Sequence, residues 1–416
     1  MDLISLAVPF FLIAIAIEIW IDRRQGSGYI PLADALGSLS AGAMSTLTGV
    51  FGKLIGIAIY AFFLAYVAPF EMPIEWFDAS WQGVLAWTGA LLAFDFFYYW
   101  KHRFGHEISL FWAAHSVHHQ SEEYNLTTAL RQTSTDFLVG WSVYIPLFLI
   151  GLPLEVFATV SAIDLIYQFW VHTRFVDKLG WVDYVFVTPS NHRVHHAQNA
   201  RYIDKNYGGI LVIWDRLFGT FEPENDDDPP IFGVRKALGS FNPLNANLHV
   251  YRSLWADARA TKRWQDKIKI WFARTGWRPT DCELSAPLRL RPLEQFAKYQ
   301  PDQSQRVRRY LVIQFVVTLL ATLGFQSVPL PAVAGYSLIA IVCFQLVGIG
   351  LVSDLSRVAK PYERGRVWLT ALLVIGVAIT LADDAWLLIA GFAIAYAMLS
   401  EWLLSGIEVA VSRPVR

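Results

Sequence analysis

Long apolar stretches separated by short polar segments organise the chain. Residues 3–20 are almost entirely apolar, and similar stretches cover 54–70, 81–100, 135–151 and 153–172. Four more follow towards the C-terminus, at 308–324, 330–352, 367–382 and 385–407. Because a helix needs about 20 apolar residues to cross a bilayer, the pattern predicts an all-α integral membrane protein with about nine spans.

Composition agrees with a membrane protein. Hydrophobic residues make up 55% of the chain and charged residues only 17%. The 17 tryptophans and 17 tyrosines often stand near the ends of apolar stretches, as in interfacial aromatic belts. The first stretch lacks a basic leading region and a small-residue cleavage site, which favours a retained span over a signal peptide. A net charge of −1 argues against nucleic-acid binding.

The distribution of basic residues predicts the orientation. One side of the predicted bundle comprises 21–37, 101–134, 172–309, 353–366 and the C-terminal tail, and it holds 33 of the 34 lysines and arginines. Lys53 is the exception. The positive-inside rule therefore places this side in the cytoplasm. Arginine outnumbers lysine 24 to 10, which favours a GC-rich bacterial genome, and hence a bacterial inner membrane over the endoplasmic reticulum.

Nine of the 10 histidines lie between residues 102 and 196. Eight of them form three boxes with the patterns HxxxH, HxxHH and HxxHH. The boxes are His102 and His106, then His115, His118 and His119, then His192, His195 and His196. Residues three and four apart share one face of a helix. The spacing therefore predicts three helical faces of imidazoles, with His172 between the second and third boxes.

Such a set of side chains is typical of a metal site. A lone histidine on a helix is usually a satisfied polar residue, but three boxes favour ligation, because the neutral ring offers a lone pair near neutral pH. Eight ligands exceed one tetrahedral zinc site, so we predict a di-metal site in a cytoplasmic helical cap. Imidazole suits iron, copper, zinc and nickel, so the ligands alone do not select the element. Zinc would serve hydrolysis, whereas two irons would activate O₂.

Two apolar stretches carry polar residues that point to the same site. Asp95 lies seven residues before His102 on one helical face, where it would either hydrogen-bond a ligating ring or make a helix–helix contact. Asp164, Gln168 and His172 form a polar stripe at i, i+4 and i+8 within the stretch 153–172. We expect this stripe to face the protein interior.

Residues 173–305 hold most of the polar part. Residues 222–230 are predicted to form an acidic surface loop, in which neutralising the acids should have little effect. A single helix is predicted over 254–274, with aromatic and aliphatic residues on one side and basic residues around them. This profile fits a helix lying on anionic lipid, and equally a helix packed on the polar part.

The boxes resemble those of the fatty acid hydroxylase/sterol desaturase superfamily of membrane di-iron enzymes. The surrounding segments are similar to the glyceryl-ether monooxygenase family within it. These segments are DFFYYWKHRFGHE (95–107), WAAHSVHHQSEEYNLTTALRQ (112–132), YQFWVHT (167–173) and TPSNHRVHHAQNARYIDKNYGGILVIWDRLFGTFE (188–222), with a weaker likeness at ADALGSLSAG (33–42).

The resemblance implies a reaction and a ligand set. The family uses O₂, two iron ions and tetrahydrobiopterin to hydroxylate the ether-linked carbon of an alkylglycerol taken from the bilayer, and the product collapses to a fatty aldehyde and a glycerol derivative. An electron donor is a required partner. The eight box histidines would be iron ligands, and His172 matches a further family histidine. Asp95 and Glu107 match acidic positions beside the boxes and would have supporting catalytic roles.

Other readings of the pattern remain open. The boxes equally suit a hydroxylase or desaturase acting on sterols, carotenoids or fatty acyl chains, although the segment EEYNLTTALRQ favours ether lipids. A metal transporter would place its ligands near the bilayer midplane on broken helices, whereas these boxes lie at span ends. We expect residues 1–305 to form the catalytic unit and 306–416 to form C-terminal transmembrane helices that frame it.

Overall fold

The computed structural model describes residues 3–285, 290, 292–327, 332–381 and 385–407. Within these ranges the chain is helical and has no β-strand, only three isolated bridges. The predicted all-α class is therefore confirmed. The α-helices are α1 (Leu3–Gln25), α2 (Leu32–Tyr66), α3 (Trp81–Glu107), α4 (Ser109–His119), α5 (Leu126–Ala129), α6 (Ile145–Leu149), α7 (Leu154–Trp170), α8 (Pro189–His195), α9 (Ile213–Leu217), α10 (Pro243–Ala260), α11 (Trp264–Phe272), α12 (Thr280–Ser285), α13 (Gln305–Ser327), α14 (Ala332–Ser353), α15 (Ala359–Leu381) and α16 (Trp386–Ser405).

Three helical segments are long and apolar enough to cross a bilayer: Leu3–Gln25, Gly335–Ser353 and Trp386–Ser405. The pair Leu32–Gly49 and Leu54–Tyr66 adds a fourth if it counts as one span. These helices support an integral membrane protein, while the count of nine spans stays a prediction. The predicted span boundaries at residues 330 and 382 lie outside the described residues.

The stretch 135–151 does not form the continuous helix that its apolar composition predicts. It folds into two short 3₁₀ helices, Asp136–Leu138 and Gly140–Tyr144, which α6 follows. Pro146 lies in the first turn of α6. Proline is tolerated in the first turn of a helix, and Ile145 before it is already helical, so Gly140–Tyr144 runs directly into α6. The interruption lies instead at Val139, whose backbone is not helical (φ −136°, ψ −29°).

The predicted helix over 254–274 is likewise two helices, α10 and α11. Between them, the carboxylate of Asp281 accepts hydrogen bonds from the backbone N–H of Lys262 (2.8 Å) and the hydroxyl of Thr261 (3.1 Å). A side chain that takes these donors offers the backbone an alternative to the helical ladder. The helix is therefore interrupted at this point, and α11 begins at Trp264.

The chain divides into two compact units. The first comprises Met1–Pro31, Gly49–Leu238 and Asn247–Ala297, and the second comprises Leu32–Thr48, Gly239–Ala246 and Lys298–Arg416. In the first unit, Phe94 of α3 and Val156 and Val160 of α7 belong to one buried apolar cluster. This cluster packs α3 beside α7, and each of these helices leads directly to a predicted ligand histidine.

The second unit packs its helices through small and polar side chains. Ala371 of α15 lies against Ala393 and Ala397 of α16 in a buried cluster, which allows the backbones to approach closely. Arg366 and Glu363 form a buried ion pair with N···O of 2.7 Å. The boundary between catalytic unit and C-terminal helices at residue 305 stays a prediction.

Candidate metal centre

The first two boxes meet because α4 folds back on α3. His102 and His106 lie in the last turns of α3, and only Ile108 separates this helix from α4. Gly105 lies where the two helices approach: a Cβ at this position would stand 3.3 Å from Cγ of His115. Glycine at this position thus lets the ring of His115 lie directly over the end of α3.

The third box lies on α8, which begins with Pro189 at a position where proline suits a helix. Arg193 of this helix donates two hydrogen bonds to the carboxylate of Glu224, at 2.8 and 2.7 Å. It also donates to the carbonyls of Thr173 (3.1 Å) and Val176 (2.8 Å). Arg193 therefore connects the third box to the segment that directly follows His172.

The structure brings together all nine histidines that were predicted as ligands. They sort into two groups, and within each group one ring nitrogen per histidine lies within 4.8 Å of the others. The five-histidine group contains His102, His106, His115, His119 and His195, and the four-histidine group contains His118, His172, His192 and His196. Each HxxHH box is thus shared between the groups, because its last two residues point in different directions.

In four of the nine histidines the outer ring nitrogen faces a backbone carbonyl. Nδ1 of His102 donates to the carbonyl of Tyr207 (2.8 Å), and Nδ1 of His118 donates to that of Arg131 (3.0 Å). Likewise, Nδ1 of His172 donates to the carbonyl of Gln168 (2.7 Å), and Nδ1 of His195 to that of Lys205 (3.0 Å). A carbonyl oxygen can only accept, so Nδ1 must carry the proton and Nε2 must present a lone pair. This is the usual way in which proteins orient a metal-ligating histidine.

The inner nitrogens lie too close together for an arrangement without a cation. Nε2 of His118 and Nε2 of His172 are 3.1 Å apart, and both of these histidines hold their proton on Nδ1. Two lone pairs facing each other at that distance repel. Two nitrogens bound at right angles to one metal ion, with bonds of about 2.1 Å, lie about 3 Å apart. The donor set therefore fits a bound metal ion.

The five-histidine group shows the same spacing. Nε2 of His115 lies 3.1 Å from Nε2 of His102 and 2.9 Å from Nε2 of His119. Nε2 of His195 is buried without a hydrogen-bond partner among the described residues. Burial lowers the pKa of His118 to about 4 and that of His195 to about 3, so both rings are neutral at pH 7 and available as ligands.

Asp95 lies near the site but contacts no histidine ring among the described residues. Its buried carboxylate accepts hydrogen bonds from the N–H groups of Ile210 (2.7 Å) and Leu211 (3.2 Å) and from the indole of Trp214 (2.8 Å). These residues follow Tyr207, whose carbonyl orients His102. Asp95 therefore supports the loop behind the ligand, rather than the ligand directly.

Glu107 follows the first box, and its side chain turns towards a neighbouring arginine. Its carboxylate accepts a hydrogen bond from Nε of Arg103 at 3.1 Å, and both side chains are about one-quarter exposed. Its backbone carbonyl accepts from the N–H of Thr275. Among the described residues, Glu107 thus contacts elements around the site and no histidine ring.

The polar stripe on α7 faces the interior as predicted. The side-chain amide of Gln168 donates to Asp164 (2.5 Å), and its side-chain oxygen accepts from the hydroxyl of Tyr98 (2.7 Å). Its backbone carbonyl holds His172. The other oxygen of Asp164 is buried without a hydrogen-bond partner among the described residues. Gln168 therefore links a buried acid to one member of the four-histidine group.

Several supporting residues have no signal in the histidine pattern. Asp215 accepts from the N–H groups of Tyr207 (2.7 Å) and Gly208 (2.8 Å), and burial raises its pKa to about 6. Arg131 donates to the carbonyl of Val117 at 2.7 Å, beside the second box. Tyr124 stacks on the ring of His172, with centroids 5.6 Å apart. None of these contacts follows the three- and four-residue spacing of the boxes, so that spacing could not predict them.

Comparison with known proteins first assigns the class. The model of the fatty acid hydroxylase family matches residues 87–220, which contain every histidine of both groups. Alkylglycerol monooxygenase of Homo sapiens is 35% identical over 360 residues, which cover 85% of this chain and 78% of that protein. The Danio rerio protein of the same name is 35% identical over 374 residues, covering 89% of this chain and 82% of that protein. No solved structure matches this chain.

A more distant relative comes from a bacterium. Ornithine lipid hydroxylase OlsE of Rhizobium tropici is 30% identical over 200 residues, 48% of this chain and 59% of that protein. The longer matches decide the family: the chain belongs to the alkylglycerol monooxygenase family. It is a membrane lipid-hydroxylating monooxygenase.

Proposed function

We propose that this protein hydroxylates the ether-linked carbon of alkylglycerols. One oxygen atom of O₂ would enter the C–H bond next to the ether oxygen, and two electrons and two protons would reduce the other atom to water. The resulting hemiacetal would break into a fatty aldehyde and a free glycerol hydroxyl. The observation that carries the proposal is the pair of buried histidine groups in a chain 35% identical to alkylglycerol monooxygenases.

We propose iron as the metal and tetrahydrobiopterin as the electron donor, both on the strength of the family resemblance. The five-histidine group would hold one ion, and the four-histidine group the other. When bound, an iron pair supplies the O₂ activation that side chains cannot provide. The part of this chain is to hold neutral imidazoles in place, to exclude bulk water and to present a lipid carbon.

We assign supporting roles to Asp95 and Glu107. Asp95 would keep the carbonyl of Tyr207 in position against His102 by fixing the loop at 210–214. Glu107 would hold the junction of α3 and α4 through its contacts with Arg103 and Thr275. Changes to such supporting groups commonly cost 10- to 100-fold in metal affinity or activity.

We also propose an orientation with the metal centre facing the cytoplasm, and nine spans in total. The asymmetry of lysine and arginine supports both. We propose as well a division into a catalytic unit (1–305) and C-terminal helices (306–416), because residues 306–416 contain no histidine. A bacterial inner membrane rests only on the excess of arginine over lysine.

A second candidate is hydroxylation of another lipid, such as an acyl chain, a sterol or a carotenoid. The matching family model is that of the fatty acid hydroxylases, and the Rhizobium tropici relative is named as an ornithine lipid hydroxylase. The family model matches the segment that carries the boxes, and the Rhizobium tropici match covers 48% of this chain. The longer matches to alkylglycerol monooxygenases favour ether lipids.

The test uses the purified full-length protein in detergent. Bound metal is quantified first, and the iron-loaded protein then receives O₂, tetrahydrobiopterin and an alkylglycerol, with fatty aldehyde as the readout. About two irons per chain and pterin-dependent aldehyde would support the proposal. Two irons with turnover only on acyl lipids would favour the second candidate, and active protein without stoichiometric iron would refute both.

A further inference from the structure

Helix α11 has a packed face and an exposed apolar face. Ile270 is fully buried and Asp266 is 9% exposed, so this side lies against the protein. Trp264, Ile268 and Phe272 follow one another at four-residue intervals along the other side, and they are 66%, 56% and 65% exposed. Three large apolar side chains in one exposed row are more than the scattered apolar residues of an ordinary surface.

Basic residues border this apolar row. The segment 259–274 contains six lysines and arginines and a single acid, Asp266, which lies on the packed face. Lys267 and Lys269 flank Ile268 in the sequence, on opposite sides of the row. The ammonium of Lys269 lies 4.6 Å from the ring centroid of Trp277. An apolar face between cations is the profile of a helix in the interface of an anionic membrane.

Helix α11 is fixed at both ends to the unit that carries the metal centre. At its C-terminal end, the carbonyl of Ala273 accepts from the N–H of Ser109, and the N–H of Thr275 donates to the carbonyl of Glu107, both at 3.0 Å. Before the N-terminal end of α11, the carboxylate of Asp281 accepts hydrogen bonds from Thr261 and Lys262. The apolar row is therefore held in a defined position next to the junction of α3 and α4.

We propose that α11 lies in the headgroup layer of an anionic membrane, with Trp264, Ile268 and Phe272 inserted among the acyl chains. A second copy of the chain fits this face less well, because a symmetric contact would bring two basic segments together, and among the described residues only Arg263 and Arg274 of the six basic residues are paired with acids (Asp266 and Asp204). Insertion would fix the depth of the α3–α4 junction and thus of His106 and His115. This last consequence rests on the proposed function, whereas membrane insertion itself does not.

The test measures the depth of α11 directly in full-length protein reconstituted in lipid nanodiscs. A nitroxide is attached to Ile268→Cys, or to Phe272→Cys as a second position, after Cys282 and Cys343 are replaced by alanine. Accessibility to oxygen and to a water-soluble nickel complex gives the depth. Phe10→Cys on the candidate span α1 (71% exposed) is the lipid control, and Asp227→Cys in the acidic loop, also exposed, is the water control.

We expect labels on α11 to resemble the Phe10 label in discs that contain phosphatidylglycerol. Nickel accessibility should rise several-fold in Lys267→Glu/Lys269→Glu, and it should not change in Lys236→Glu, an exposed lysine outside this helix. Labels that resemble the Asp227 label would overturn the proposal. Labels shielded from both reagents and coupled magnetically to a second copy would overturn it as well. None of these readouts depends on turnover, so they are separate from the test of the function.

Discussion

His118 and His172 face each other through their Nε2 atoms at 3.1 Å, while Nδ1 of each donates to a backbone carbonyl. Neither ring has a proton left to share, so the pair is stable only with a cation next to both nitrogens. His118 comes from the second box and His172 belongs to no box. The geometry of His172 therefore fits metal ligation as well as the geometry of His118 does.

Replacing His172 by alanine should remove the metal of the four-histidine group. Three ligands would remain there, while the five-histidine group keeps its full set. We expect bound metal to fall towards one ion per chain and turnover to fall more than roughly 100-fold, the upper end for supporting groups. Elemental analysis and an aldehyde assay measure the two effects. His249→Ala, outside both groups, should retain both metals, and an unchanged metal content in His172→Ala would contradict the assignment.

Replacing Glu224 by alanine should destabilise the protein, contrary to the expectation that acids of the loop 222–230 can be neutralised without effect. Glu224 forms a two-point ion pair with Arg193, and these side chains are 11% and 9% exposed. Removing one partner of a buried pair costs about 3 to 5 kcal/mol, because the other charge stays buried and unpaired. Thermal unfolding in detergent should show a clear drop. Asp227→Ala, an exposed acid of the same loop, should unfold like the unchanged protein; equal behaviour of the two variants would refute the role of the pair.

Replacing Gly209 by alanine should disturb the loop that Asp95 supports. A Cβ at this position would stand 2.5 Å from Oδ1 of Asp164 and 2.8 Å from the ring of Tyr98. Overpacking of this kind typically costs about 1 to 3 kcal/mol. Gly89→Ala on α3 is the matched control, since its Cβ would meet no atom within 4 Å and alanine suits a helix interior. Unfolding temperatures of the two variants should move in opposite directions, and a neutral Gly209→Ala would mean that the loop adapts freely.

Replacing Arg366 by methionine should weaken the second unit and leave the metal content unchanged. Its guanidinium is 3% exposed and donates to Glu363, Gln314 and Tyr396. We expect a loss of about 3 to 5 kcal/mol for this buried pair, against about 0 to 1 kcal/mol for Arg364→Met, which breaks an exposed pair with Glu401. Unfolding in detergent and elemental analysis give the two readouts. Loss of metal in Arg366→Met at a temperature where the protein stays folded would contradict a framing role for the C-terminal helices.

The local pattern of apolar residues and histidines was sufficient to predict the class of fold and the candidate metal ligands. Apolar length predicts helices that can cross a bilayer, and α1, α14 and α16 meet that expectation. The spacing of histidines at three and four residues predicts faces of imidazoles, and all nine predicted ligands lie in the two groups. Both inferences depend only on the geometry of one helix, which a short segment determines largely by itself.

Local pattern failed where another segment supplies the partner. Asp281, from a later segment, interrupts the helix expected over 254–274. Glu224 was expected to be a surface acid, whereas the fold places it in an ion pair with Arg193. Asp95 was expected either to hydrogen-bond a ligating ring or to make a helix–helix contact, whereas its carboxylate accepts its hydrogen bonds from the loop at 210–214.

The sequence by itself determined that this chain is a helical membrane protein with a histidine-rich site, because periodicity and hydropathy are properties of a single helix. Only the tertiary structure decided how the nine histidines divide into five and four. Neighbours such as His118 and His119 point about 100° apart on a helix, so each turns to a different group. Which group a ring joins depends on the carbonyls of Tyr207, Arg131, Gln168 and Lys205, and the fold brings these from separate segments.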